Sequence, residues 1–265
     1  MFITKIEYKK DIWIVSTEES GKFLIDRAAA QKYSLSVSEE LSEDVLKENK
    51  AFAVRYGKEK ALGYIAMAAR TESETSEYLR AKHLQPDAVR AVIEFLTENK
   101  FLNDSDYADL YAMSRSEDGQ SRRKIVMKLR NKGIEDTAVS AAAESIDEET
   151  EYKNARKLLE KHNRLKRDIP PVLRRSYLLN KGFAMGFENS AVSSITEELL
   201  SEESGGSYEE YYTKLIDKKI AALYKKNNNY ETAERKLYSE FLGKGAEKKL
   251  IAERLEAFYA DKNTD

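Results

Sequence analysis

Leu129-Arg130-Asn131-Lys132-Gly133-Ile134 decides how this chain is read, because it returns as Leu178-Leu179-Asn180-Lys181-Gly182-Phe183. A weaker copy is Phe241-Leu242-Gly243-Lys244-Gly245-Ala246, and a fourth, Leu79-Arg80-Ala81-Lys82-His83-Leu84, has histidine where the others have glycine. Starts at 79, 129, 178 and 241 give spacings of about fifty residues with one longer gap, a period that belongs to helical arrays. Lys-Gly has a physical reason to mark the end of a helix. Glycine accepts the left-handed backbone just past the last turn, and a cation there complements the exposed carbonyls. The motif is therefore read first as helix termination rather than as a binding signal.

Working outward, the helix after each motif carries an apolar stripe at i, i+3, i+4, i+7, which makes one face seek burial. The stripes are Val89/Val92/Ile93/Leu96, Val139/Ala142/Ala143/Ile146 and Ile251/Leu255/Phe258; in the third copy, Val192/Ile195/Leu199 begins four residues late. Pro86 and Pro170-Pro171 stand where helices should start, a position that tolerates proline. Another helix precedes each motif, marked by Leu62/Ile65/Ala66/Ala69, Tyr107/Tyr111, Tyr152/Ala155/Leu159 and Tyr211/Leu215. This gives four three-helix repeats, over 56–102, 103–146, 147–203 and 207–265. Such small units are expected to pack on one another into an elongated curved rod. Ser204-Gly205-Gly206-Ser207 reads as a linker.

The first residues differ. Phe2–Tyr8, Ile12–Val15 and Gly21–Ile25 are β-rich runs separated by turn-like stretches. A small β-meander followed by short helices is expected over 1–55. The fold class is thus mainly α, with β-structure confined to about the first thirty residues.

Charged residues make up 35% of the 265-residue chain, and there is no cysteine. Disulfides, thiolate chemistry and cysteine zinc sites are excluded. There is no secretory h-region near Met1 and no apolar run of membrane-spanning length, so a soluble cytoplasmic protein is expected. His83 and His162, the only histidines, have no ligand-spaced carboxylates around them, and no glycine-rich phosphate loop occurs. No cofactor, metal or enzymatic activity is expected.

The net charge of −2 hides an asymmetry: Met113 to Gly182 holds 17 Lys and Arg against 11 Asp and Glu. Arg115, Arg122, Arg123, Lys124, Lys128, Arg130 and Lys132 form one basic cluster; Arg164, Lys166, Arg167, Arg174 and Arg175 form another. Arg123 and Arg130 lie a heptad apart, and Lys124 and Lys128 one turn apart, so parts of the first cluster share a helix face. Phosphates or an acidic partner would neutralise such a face; the plainer alternative is a solvated helix surface. The sixteen tyrosines fall mostly on apolar stripes, as do Tyr107, Tyr152 and Tyr177, and are read as core rather than base-stacking platforms.

Leu96-Thr97-Glu98-Asn99-Lys100-Phe101-Leu102-Asn103-Asp104-Ser105-Asp106-Tyr107-Ala108 resembles the junction between the first and second repeats of the RecX family, a leucine-(Asn/Asp)-Asp-x-x-(Phe/Tyr)-Ala string. Arg70-Thr71-Glu72-Ser73-Glu74 is similar to that family's Arg-Ser-x-x-Glu, and Thr71 with Glu74 has capping-box spacing. The Lys-Gly-Ile and Lys-Gly-Phe strings fall where the family has its own. The resemblance covers about residues 59–200; the β-rich start and fourth repeat resemble the longer members found in Firmicutes-type bacteria. His83 for glycine and Ala246 for a large apolar residue depart from the pattern. The resemblance implies a regulator that binds the RecA filament on single-stranded DNA; a monomer is expected, with double-stranded DNA as a further form. It would lie in the filament groove or block extension, lowering RecA's ATPase, strand exchange and co-protease functions. A stand-alone nucleic-acid binder acting without RecA, or a pure helical scaffold, are the other readings.

Overall fold

The computed structural model describes residues 1–19, 21–201, 208–226 and 230–262; the linker expected at Ser204-Gly205-Gly206-Ser207 lies outside them. Strands β1 (Ile3–Tyr8), β2 (Ile12–Thr17) and β3 (Lys22–Asp26) form an antiparallel meander in that order. Every named strand lies before residue 27, and the named elements after it are all helices among the described residues. After α1 (Arg27–Lys32), four triplets follow: α2 (Glu43–Met67), α3 (Glu72–Ala81), α4 (Pro86–Glu98); α5 (Asp104–Glu117), α6 (Arg122–Asn131), α7 (Asp136–Glu144); α8 (Glu148–Leu165), α9 (Pro171–Ala184), α10 (Asn189–Ser201); and α11 (Glu209–Lys226), α12 (Tyr230–Gly243), α13 (Lys248–Lys262). The chain divides into two compact units, one of Met1–Arg115 with Ile125–Ile146, the other of Ser116–Lys124 with Asp147–Asp265.

The meander is two-faced, as strand alternation requires. Ile3, Ile6, Val15, Phe23 and Ile25 pack with α1 residues Ala29 and Ala30. Ile12, Ile14 and Leu24 turn the other way and share a core with Leu79, Val89, Val92 and Leu96 of the first triplet. The sheet is thereby part of the first repeat's core, and α2 runs unbroken across residue 55. Asn49 on α2 fastens the two: its amide oxygen accepts from the Asp26 N–H at 2.7 Å and its amide nitrogen donates to the Leu24 carbonyl at 2.7 Å.

Each middle helix ends the same way. His83, Gly133, Gly186 and Gly245 have φ of 66°, 78°, 82° and 85°. The following N–H reaches back to the carbonyl of Leu79, Leu129, Gly182 and Phe241 respectively, a Schellman closure. This corrects the third register. Gly182 lies inside α9, and Gly186 is the true terminator, so the residue matching Leu79, Leu129 and Phe241 is Gly182. Leu178, though also fully buried, sits one turn earlier. The late stripe at Val192 was the sign of that offset.

The pairs bracketed by each closure are complementary in size: Leu79 with Leu84, Leu129 with Ile134, Gly182 with Phe187, and Phe241 with Ala246. All except the glycine are buried apolar side chains, and a Schellman end is commonly sealed by apolar packing between these two places. Ala246 is small because Phe241 is large.

The terminating glycines also explain His83. A Cβ on Gly133 would lie 2.5 Å from Ser73, on Gly186 2.9 Å from the Ser121 hydroxyl, and on Gly245 3.2 Å from Val172. Each glycine is thus pressed against the start of the preceding repeat's middle helix. His83 has no repeat before it; its carbonyl instead accepts from the Leu24 N–H of β3 at 3.0 Å. A non-glycine residue bears only the modest cost of positive φ there, which histidine tolerates better than most.

Hydroxyls fasten the same junctions. Thr71 donates to the Lys132 carbonyl at 2.9 Å, and Ser121 to the Met185 carbonyl at 2.6 Å. Thr71 and Glu74 also form the expected capping box. Ser121→Ala should therefore cost about 1 kcal/mol in urea unfolding, as a partly buried carbonyl loses its protein partner, with an unchanged denaturant slope. A loss within experimental error would show that the hydrogen bond contributes nothing.

Candidate nucleic-acid interface

The twelve basic residues expected from the sequence fall in both units: Arg115, Lys128, Arg130 and Lys132 in the first, the other eight in the second. Their surroundings differ more than their spacing suggests.

In the first unit, Arg115 lies over the Tyr111 ring at 5.3 Å, Lys128 is half-buried, and Arg130 pairs with Asp136 at 2.7 Å. Lys132 is the most engaged. Its ammonium is 2.5 Å from Glu74 and 5.3 Å from the centre of the Tyr107 ring. Burial opposes its charge, but the Glu74 carboxylate and the Tyr107 hydroxyl outweigh that and leave its pKa above the ordinary lysine value. Burial likewise acts to raise the Glu74 pKa, yet Lys132 and the Thr71 N–H together hold it below the usual range. Lys132 thus serves the junction between repeats.

In the second unit, Arg122 is held by Glu151 at 3.4 Å and Arg175 by Glu197 at 2.5 Å. Arg174 departs from the expectation of a surface cation: it is fully buried and does not reach an external phosphate in this fold. Its burial follows from the corrected register. Eight residues before each closing position stand Thr71, Ser121, Arg174 and Ala233, all buried.

Arg123, Lys124, Arg164, Lys166 and Arg167 remain. Arg123, Arg164 and Arg167 are exposed and the two lysines half-buried. Among the described residues none of the five has a carboxylate partner, whereas Arg122, Arg130, Lys132, Arg156 and Arg175 each have one. The helix positions them simply: Arg123 and Lys124 open α6, while the other three close α8 and enter the turn to α9. Lys161 and Lys181, which the basic runs did not single out, also lack carboxylate partners; counting cations across the whole α8–α9 hairpin would have found them. Tyr107, Tyr152 and Tyr177 are partly buried against the repeat cores.

Among the described residues no group of three or more acidic or histidine side chains is placed to hold a metal, and no helix is long and apolar enough to cross a membrane. The arrangement offers positive charge on helix ends.

Residues 58–96 match the family model for the first three-helix domain of RecX, and residues 103–142 that for the second. The regulatory protein RecX of Streptococcus mutans is 31% identical over 240 residues, spanning 89% of this chain and 91% of that protein. The Streptococcus sanguinis protein of the same name is 28% identical over 238 residues, with the same shares. A crystal structure of regulatory protein RecX superposes with a TM-score of 0.54 at 22% identity, covering 74% of this chain and 98% of the other. RecX from Lactobacillus salivarius gives 0.53 at 22% identity, covering 56% and 97%. With two family domains in their expected order, the repeat ends they contain, and a relative matched along nearly its whole length, this chain belongs to the RecX family of regulatory proteins.

Proposed function

We propose that the protein binds the RecA filament on single-stranded DNA as a monomer in the cytoplasm and restrains it, lowering ATP hydrolysis, strand exchange and co-protease activity. Membership of a family of regulatory proteins supports the regulatory part. The observation that carries the nucleic-acid part is the set Arg123, Lys124, Arg164, Lys166 and Arg167, cations left without carboxylate partners within one compact unit. Unneutralised charge of one sign lowers the stability of a folded protein, and a phosphate backbone supplies the missing counter-charge. The protein acts by binding and has no turnover of its own.

Titrating the purified chain into RecA hydrolysing ATP on single-stranded DNA tests this. Hydrolysis should fall progressively to a plateau and recover as salt weakens the association; an unchanged rate at saturating protein would sink the proposal. The same cations also suit a stand-alone nucleic-acid binder. Tighter binding to bare DNA than to the filament, with RecA hydrolysis untouched, would favour that second reading.

A further inference from the structure

His162 lies in the last turn of α8, and its Nδ1 is 2.7 Å from the Tyr177 hydroxyl on α9. The two rings meet edge-on with centroids 5.8 Å apart. Lys166, just past α8, places its ammonium 5.8 Å from the centre of the Tyr177 ring. Lys161 adjoins His162 in sequence, and Lys181 lies one turn beyond Tyr177 on α9. The histidine and tyrosine thus tie the two helices together, with a lysine before them, one after, and one on the partner helix.

No acid balances this group. Burial, and then the charges of Lys181, Lys161 and Lys166, hold the His162 pKa below the ordinary histidine value, with no carboxylate opposing them. Around His83, by contrast, Glu7 partly offsets burial and the neighbouring lysines. The acids that α8 and α10 bring near are already engaged. Glu160 and Glu198 both bind Arg156, and Glu197 binds Arg175. Asp168, exposed in the α8–α9 turn, forms no ion pair among the described residues. Three lysine charges all oppose protonation of a half-buried imidazole, and like charges disfavour one another, so the arrangement lacks an anion.

We propose that this hairpin end seats a phosphodiester of a single-stranded nucleic acid, with Lys161, Lys166 and Lys181 supplying charge and neutral His162 donating from Nε2. In this seat the Tyr177 hydroxyl is the donor to Nδ1, which puts the imidazole proton on Nε2 and fixes the ring. The neutral imidazole suits the place, because it gives one directional hydrogen bond without adding a fourth positive charge. The seat rests on the nucleic-acid reading above and names a phosphate position within it.

His83 and His162 are the only histidines, so the imidazole C2 protons of the full chain give two NMR resonances, one per compact unit. Their titration should be followed alone, with a short oligothymidylate, and with inorganic phosphate at the same phosphate concentration. The oligothymidylate should move the His162 midpoint to higher pH, because a phosphate offsets the lysines, and leave His83 unmoved. A His162 midpoint unchanged at saturating oligothymidylate overturns the seat. An equal response to inorganic phosphate overturns its assignment to a nucleic-acid backbone.

The Lys161→Gln/Lys181→Gln double variant should raise the His162 midpoint in the free protein and weaken oligothymidylate binding. It should also reduce the log–log salt slope by about 0.7 for each phosphate no longer neutralised. A raised midpoint with unchanged affinity and slope would make the lysines merely neighbours of the histidine, overturning the seat. The outcome is separable from the RecA reading. A filament that is still inhibited while oligothymidylate leaves His162 untouched defeats the seat alone; a shifted His162 with RecA hydrolysis unaffected defeats the RecA reading alone.

Discussion

Replacing Gly182 by leucine is expected to destabilise the second unit by about 3 kcal/mol, although it installs the residue that the first two repeats carry at the same place. A Cβ at Gly182 would lie 2.5 Å from Val192 Cγ1 and 2.7 Å from Cγ2. Val192 is fully buried on α10, and a β-branched side chain in a helix has little rotameric freedom to retreat. Even Gly182→Ala, which gains roughly 1 kcal/mol of helix propensity, should come out net destabilising. Thermal melting is a sufficient measurement, since each kcal/mol moves the midpoint by roughly 2–4 °C at this size. Gly182→Leu combined with Phe187→Ala transfers the size pattern of Phe241 and Ala246 to the third repeat and should recover part of the loss. A Gly182→Leu protein as stable as the parent would show that the volume beside α9 is open and the register assignment wrong.

The largest effect on binding is expected from changing Arg123, Lys124, Arg164 and Arg167 together to glutamine. If each neutralises one phosphate of a single strand, affinity at about 0.1 M salt should fall roughly 10²- to 10³-fold and the log–log salt slope should shrink by about 3. Helicity should survive, because Arg123, Arg164 and Arg167 are exposed and Lys124 is half-buried, and surface substitutions usually change stability by no more than about 0.5 kcal/mol each. Neutralising the exposed acids Glu39, Glu40, Glu43 and Asp44 is the control and should leave binding nearly intact. Arg130→Gln and Arg122→Gln should each do less than any member of the basic set, since Asp136 and Glu151 already meet those charges. Wild-type affinity with an unchanged slope in the quadruple variant would reduce the four cations to a solvated face.

What the sequence determined by itself is local or periodic. Backbone conformation at a helix end is set within six residues, so Gly133, Gly245 and the capping pair Thr71 and Glu74 could be assigned without a fold. Apolar stripes such as Val89/Val92/Leu96 and Val139/Ala142/Ile146 likewise declare a buried face whatever lies opposite, and the alternating N-terminal runs declare strands. The order and spacing of these signals carried the family resemblance.

Tertiary structure decided whatever depends on a neighbour in space. Lys181-Gly182 repeats a terminating pair, yet α9 continues for another turn because Val192 fits against a bare backbone and Gly186 closes the helix. Ala246 and His83 read as departures until Phe241 supplied the volume for one and the absence of a preceding repeat relieved the other. Among the cations, composition gives number and sign but not company. Arg174 is enclosed, while Lys132, Arg130 and Arg122 meet Glu74, Asp136 and Glu151. Arg123, Lys124, Arg164, Lys166 and Arg167 meet no carboxylate among the described residues, and nothing in their own stretch of chain distinguishes them. A charge's contribution is set by distances of a few ångströms to groups that lie tens of residues away in sequence, and only folding establishes those distances.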